Sequence, residues 1–457
     1  MKLPVWLMAA TMLAGAAPAS AQPSSDVAAE IAALRAQVDA LQARMAELEA
    51  RAAAPQSAPA AAAGQSAPAA VRTAAAEEAP NVRFRGAPEI TAPGGWSFKP
   101  RGRLQYDVAY VSRPDGIDDP GLGFSNELRR ARLGVEGDIP GGFGYVFELD
   151  FAGEDVEIID ALLSYEASDA LRLTLGQHNN FQSLEELTSS RFTSFIERAA
   201  FTDAFNFERR VGLSATLSHG DLFAQAGIFT DNIADLSDDA NDGGGVDGRI
   251  VYAPRLGETQ LHLGGSAHWR DNGELAATAA TRYRQRPLAH STDVRFIGTP
   301  ALPIEQETSY GVEAAIIHGP FHAVGEAHWL EADPLGPGAG QTFFGAYAEI
   351  GWFITGESRG YKDGRFDRTR VSRPVEEGGV GAFQLNLRYD RLDLDSGTIL
   401  GGTQDGMQAS LIWIPTDHVR FLINYARLDY DNASLPAADG DRDYSVDVVA
   451  ARAQIDF

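Results

Sequence analysis

The chain has 457 residues, no cysteine and a formal net charge of −25, which excludes disulfides, thiolate metal sites and cysteine nucleophiles. The same charge argues against a nucleic-acid partner, because a phosphate backbone needs a basic surface. No internal apolar run reaches the ~18–20 residues of a membrane helix, but a barrel strand, whose two faces differ, would leave no such run.

Residues 1–21 read as a signal peptide. Lys2 gives the positive start, Leu3 to Ala17 the short apolar stretch, and Ala19-Ser20-Ala21 a small-residue cleavage site before Gln22. Residues 22–51 read as a coiled coil. Ile31, Val38 and Met45 take the a positions, and Val27, Leu34, Leu41 and Leu48 the d positions. Opposite charges at Glu30 and Arg35, and at Arg44 and Glu49, suit parallel self-association. The other reading is one amphipathic helix docked on the rest of the protein. Residues 52–97 form an Ala/Pro-rich linker and barrel lead-in. They carry a repeat, Gln56 to Ala61 and Gln65 to Ala70, that cannot bury a core.

From about Phe98 the pattern turns to segments of roughly ten residues with period two. Leu104, Tyr106, Val108 and Tyr110 oppose Arg101, Arg103, Gln105 and Asp107; Leu385, Leu387 and Tyr389 oppose Gln384, Asn386 and Arg388. Aromatics close the apolar parity at Tyr110, Tyr165, Tyr252, Trp269, Trp329, Trp352, Tyr389, Trp413 and Tyr425, as in interfacial girdles. The last segment ends on Phe457, as outer-membrane barrels commonly do. The fold class is therefore all-β: a transmembrane antiparallel barrel of about sixteen strands over 98–457, an even number, behind a short helical coiled coil.

Several stretches then recur in a family order: Glu127 to Gly134, Phe147 to Ala152, Thr188 to Ser190, Phe195 to Ala199, Tyr283 to Pro287 and Gly351 to Arg359. With them the chain resembles the phosphate-selective porin O and P family from Gly102 to Phe457. The resemblance implies a homotrimer of sixteen-stranded barrels in outer-membrane lipid, with a loop folded into each pore and basic side chains along the path of small inorganic anions. Family pores are rich in lysine, whereas this chain has three lysines, Lys2, Lys99 and Lys362. After Gly176, where relatives often carry lysine, it has Gln177-His178-Asn179-Asn180. Arginine is left to do that work.

The stretch from Gln177 to Arg209 is too long for a hairpin and reads as the inward-folded loop. Its Arg191, Arg198, Arg209 and Arg210 are candidates to replace an anion's water with forked N–H donors. The alternative is that Glu197 and Arg198, and Glu208 and Arg209, belong to salt bridges that hold the loop to the wall. Arg101, Arg103, Arg130 and Arg132 share the lumen parity of the first two strands. They extend a basic ladder, or they simply solvate a wet interior. His322, Glu326 and His328 share one strand face, but i, i+4 and i+6 on a strand span too far for one metal shell, which favours polar wall lining. The acidic stretch Asp231 to Asp247 lacks the ligand spacing of a calcium loop. No cofactor, metal or nucleophile–base set is expected. Function therefore reads as passive diffusion of anions, phosphate or polyphosphate among them. The competing readings are an envelope-tethering barrel with a non-selective pore, and a barrel enzyme using His322 or His328.

Overall fold

A computed structural model describes residues 80–457, apart from 154, 237–241 and 274–279. The signal peptide, the coiled coil and the spacer as far as residue 79 lie outside the described residues. Sixteen strands close into an antiparallel barrel. In chain order they are β1 Trp96–Val111, β2 Gly123–Ile139, β3 Phe143–Asp150, β4 Glu157–Ser168, β5 Leu171–Asn179, β6 Arg209–His219, β7 Leu222–Phe229 and β8 Gly244–Tyr252. They continue with β9 Thr259–Asp271, β10 Ile304–His318, β11 Phe321–Pro334, β12 Gln341–Phe353, β13 Ala382–Ser396, β14 Ile399–Thr416, β15 Val419–Asp431 and β16 Tyr444–Asp456. Each pairs with the next, and β16 closes on β1 with Gln454 opposite Gln105. Closure leaves no open edge, which a lipid solvent requires. A small hairpin, Asn81–Arg85 with Ala87–Ala92, extends the start of β1.

Alternation sets the two faces. On β13 Leu385, Leu387 and Tyr389 are exposed on the outside while Gln384, Asn386 and Arg388 are buried inside. The outward face is uneven. On β1 to β3 it carries Trp96, Phe98, Leu104, Tyr106, Tyr110, Phe124, Leu128, Leu133, Phe143 and Phe147, with Asn126 an exception. On β15 the outward side turns from Phe421, Ile423 and Tyr425 to Arg427, Asp429 and Asp431. Phe457 completes the seam: its N–H donates to the Gly102 carbonyl at 3.0 Å and its carbonyl accepts from the Gly102 N–H at 3.1 Å. A Cβ on Gly102 would stand 2.6 Å from the Phe457 ring, so the terminal ring needs a glycine beneath it.

Three connections depart from simple turns. Residues 180–208 carry two short helices, α1 Leu184–Leu187 and α2 Ala200–Ala204, and cross the lumen. The free amides at the start of α1, Leu184 N–H and Glu185 N–H, donate to the Glu326 carboxylate on the wall at 2.8 and 2.7 Å. The first amide of α2, from Ala200, donates to Asp390 at 3.0 Å. Between the two helices, Ser410 Oγ donates to the Ser194 carbonyl at 2.7 Å, an Arg420 nitrogen to the Thr193 carbonyl at 2.9 Å, and Gln105 Nε2 to the Ser190 carbonyl at 3.1 Å. Helix α2 sits flush because Gly345 on the wall has no Cβ, which would lie 2.4 Å from the Cβ of Phe201. The second inward connection is 272–303, whose Tyr283, Phe296 and Ile297 are fully buried.

The third comes from the short-turn side and has no counterpart in the sequence reading. Residues 354–381 form a small hairpin, Gly360–Lys362 with Arg365–Asp367, that turns into the barrel. Phe366 is buried, Arg249 donates to the Gly364 carbonyl at 2.8 Å, and the Tyr361 hydroxyl lies 2.6 Å from His262 Nδ1.

Candidate anion path

Two cavities lie within the wall formed by the described residues, both bordered chiefly by β1–β8 and the inward segments. One of about 630 Å³ opens on the short-turn side. Another of about 720 Å³ opens on the long-loop side, the extracellular one by the usual asymmetry of such barrels. Five residues line both cavities: Arg130, Arg132, Glu186, Arg198 and Arg209. They mark the neck between the two chambers.

Each neck arginine is held differently. Arg132 Nε lies 2.7 Å from Asp150, and Arg209 Nε lies 2.9 Å from Asp160. Arg198 donates to the carbonyls of Glu185, Glu186 and Thr188 at 3.0, 3.1 and 2.9 Å and pairs with the Glu186 carboxylate at 3.3 Å. It thereby caps the C-terminal carbonyls of α1 and points its remaining edge at the passage. Arg130 donates to Gln105 Oε1 at 2.9 Å. It has no carboxylate partner among the described residues, and its Nε is buried without an acceptor. At 7% exposure it is a desolvated cation with unused donors.

The other sequence candidates sort by place. Arg101, Arg103 and Arg191 line the short-turn chamber. Arg101 pairs with Glu136 and Glu148, both at 3.0 Å; Arg103 donates to Ser190 Oγ at 2.8 Å and pairs with Glu148 at 3.3 Å; Arg191 lies 3.7 Å from Asp456. Arg210 lines neither cavity. It is buried and pairs with Glu208 at 3.2 Å.

Glu197 pairs with Arg129 at 3.3 Å and Arg452 at 3.4 Å, leaving Arg198 free for α1; Arg209 pairs with Asp160 while Glu208 takes Arg210. Gln177, His178 and Asn179 belong to β5, so the loop starts later than the sequence suggested.

Sequence reasoning missed Arg129. The ladder slips between Gln105 and Tyr106, so Gln105 faces Arg130 while Tyr106 faces Leu128. This bulge leaves Arg129 unpaired in register and lets both neighbouring arginines point inward. The signal was available: strict alternation would put one of two adjacent arginines into lipid, at ~2–4 kcal/mol near the midplane. Arg249 and Arg365 in the short-turn chamber, and Arg286 and His290 in the outer one, were also missed.

His322, Glu326 and His328 are wall anchors. Glu326 holds α1, His328 stacks on Phe201 at 4.5 Å, and His322 lies 2.7 Å from Arg359. Among the described residues no group of three or more His, Asp or Glu is arranged to hold a metal.

Comparison with known proteins decides the family. The family described as phosphate-selective porin O and P matches residues 98–457. The chain belongs to that family. An uncharacterized protein of Caulobacter vibrioides is 48% identical over 423 residues, 88% of this chain and 85% of its own length. Porin O of Pseudomonas aeruginosa is 25% identical over 403 residues, 79% and 90% of the two chains. Solved structures share the barrel fold, among them the next two. Outer-membrane OmpT of Vibrio cholerae has a TM-score of 0.51 at 11% identity, covering 81% of this chain and 100% of its own. An anion-selective porin from Comamonas acidovorans has a TM-score of 0.51 at 15% identity, covering 79% and 100%. In this member of the porin O and P family, arginine supplies every cation of the neck.

Among the described residues, Glu186 is the acid that lines both chambers. Burial pushes its carboxyl above the ordinary range; Arg198, Arg209 and Arg130 oppose the shift and Glu185 adds to it. As the pH falls, Glu186 therefore takes up a proton before an ordinary glutamate of pKa ~4.3 would. The neck then loses its negative charge. The anion-to-cation permeability ratio should rise as pH drops toward that range. Glu186→Gln should give the higher ratio already at neutral pH, with a flat profile. A pH response that survives the substitution would place its origin elsewhere.

Proposed function

We propose that the protein is an outer-membrane porin for passive diffusion of small inorganic anions, phosphate and polyphosphate among them. The observation that carries this reading is the neck, where four arginines meet one glutamate and Arg130 has no carboxylate partner among the described residues. A guanidinium is always charged, weakly hydrated and forked, so it can take over an oxyanion's water shell at small desolvation cost. The local field at a narrow, low-dielectric neck outweighs the distant acidic surface that sets the total charge of −25.

A signal peptide over 1–21 would export the chain. Residues 22–51 are proposed as a self-associating coiled coil, 52–97 as linker and lead-in, and 98–457 as the pore. A homotrimer is proposed because the outward face of β1 to β3 is apolar along strands of up to 17 residues. Such a face is taller than the ~25 Å band that lipid covers. A second copy would cover the excess.

The test is the reversal potential of single channels in a chloride gradient, with and without added phosphate. An anion-selective potential that phosphate shifts, or a chloride current that phosphate blocks, supports the reading. A cation-selective or unselective channel overturns it.

A further inference from the structure

The filter loop and the short-turn hairpin enter the lumen from opposite mouths, and a buried chain of ions joins them. Glu185, in α1, places Oε1 2.7 Å from Arg388 Nη2 on β13. The same nitrogen lies 2.7 Å from Glu349 Oε2 on β12, with Arg388 Nε at 3.2 Å. The other oxygen of Glu349 takes Arg359 Nη1, at the root of the hairpin, at 3.0 Å. His322 Nε2 touches that Arg359 nitrogen at 2.7 Å. Two aromatic contacts fix the ends: Arg388 lies 4.5 Å from the rings of Phe195 and Tyr347, and Arg359 lies 3.6 Å over Phe366. All four charged side chains are at most 4% exposed.

We propose that this relay makes the short-turn hairpin part of the filter: Arg388 and Glu349 are positioning residues for the 180–208 loop, and Arg359 sets how they hold it. The inference rests on the anion-filter reading of the neck. The relay is balanced, two carboxylates against two guanidiniums, and its side chains are almost closed to bulk solvent. Remove Arg359, and Glu349 keeps only Arg388 and the 3.4 Å contact with His322 Nε2. Arg388 then shifts its donors toward Glu349 and loosens its grip on Glu185. Glu185 is next in the chain to Glu186, and both residues' carbonyls hold Arg198 at the neck. Salt cannot screen such a buried chain, so the coupling persists at high ionic strength.

The experiment is a cycle of Arg359→Gln, Glu185→Gln and the double variant, read as anion-to-cation permeability ratio on folded, heat-modifiable protein. Arg359→Gln should change the ratio by at least about threefold, and by much less in the Glu185→Gln background, because residues in one network are non-additive. Arg359→Met, which keeps the apolar stem, serves the same cycle where the glutamine variant does not assemble. A purely structural Arg359 would lower the yield of folded protein yet leave the ratio of the folded fraction unchanged, and that result overturns the proposal. Equal effects in both backgrounds also overturn it. A channel whose ratio responds to Arg130→Glu but not to Arg359→Gln sinks the relay alone; one that responds to neither sinks the filter reading as well.

Discussion

Arg130→Glu should turn an anion-preferring channel into one that favours cations, shifting the permeability ratio by at least about tenfold. The other neck arginines each have an acid at hand: Arg132 has Asp150, Arg209 has Asp160 and Arg198 has Glu186. Arg130 has none among the described residues, so the uncompensated local charge is its own. Reversing it changes that balance by two units where the two chambers meet, within the ~8 Å over which salt fails to screen. Two unit charges 4 Å apart interact by ~4 kcal/mol at an effective dielectric of 20. A third of that suffices for a tenfold change. Arg210→Glu is the control. Arg210 lines neither chamber, so reversal there should reduce assembly by burying a carboxylate beside Glu208 and leave the ratio of folded channels within about twofold. Reversal potentials on folded protein check both. Equal ratios for wild type and Arg130→Glu would remove the neck from the selectivity mechanism.

The wall was legible in the sequence because lipid and lumen impose it residue by residue. Leu385, Leu387 and Tyr389 could be assigned outward from their spacing alone, and they are. The constriction loop was legible as a connection too long and too charged for a turn. Its partners were not. Arg452 lies 255 positions beyond Glu197, and barrel closure alone brings them together. Local reading could give Glu197 a salt bridge to the wall but not say which strand supplies its partner. Arg129 was hidden for a different reason: a bulge shifts parity by one, and period-two counting carries no bulge unless the cost of a lipid-facing arginine is entered. The 354–381 hairpin was hidden by convention. Turns on that side are short as a rule, so Arg359 at the end of a recognised stretch drew no attention as a lumen residue.

The second large effect should fall on stability. Glu197 accepts from Arg129 at 3.3 Å and Arg452 at 3.4 Å, and Arg452 is also held by both oxygens of Asp107 at 2.7 and 2.6 Å. Arg129 therefore depends on Glu197 more than Arg452 does. Burial alone would raise the Glu197 carboxyl, but Arg129, Arg452 and Arg130 outweigh it and hold the group well below the usual range. A depressed folded-state pKa gives stability that is present above the unfolded value of ~4.3 and lost only as pH falls through the lower folded value. Glu197 thus stays ionised through the working range, and mild acid should not release the loop. Glu197→Ala should. It strands the inward guanidinium that the bulge creates, at a cost toward the lower end of ~3–5 kcal/mol because both side chains keep some contact with the outer chamber. The midpoint temperature of the heat-modifiable gel shift should fall clearly for Glu197→Ala. It should recover in part when Arg129→Ala is added, since the double variant buries no lone charge. A double variant no more stable than Glu197→Ala would mean that the pair contributes by packing, and that the bulge tolerates an unpaired arginine at its centre.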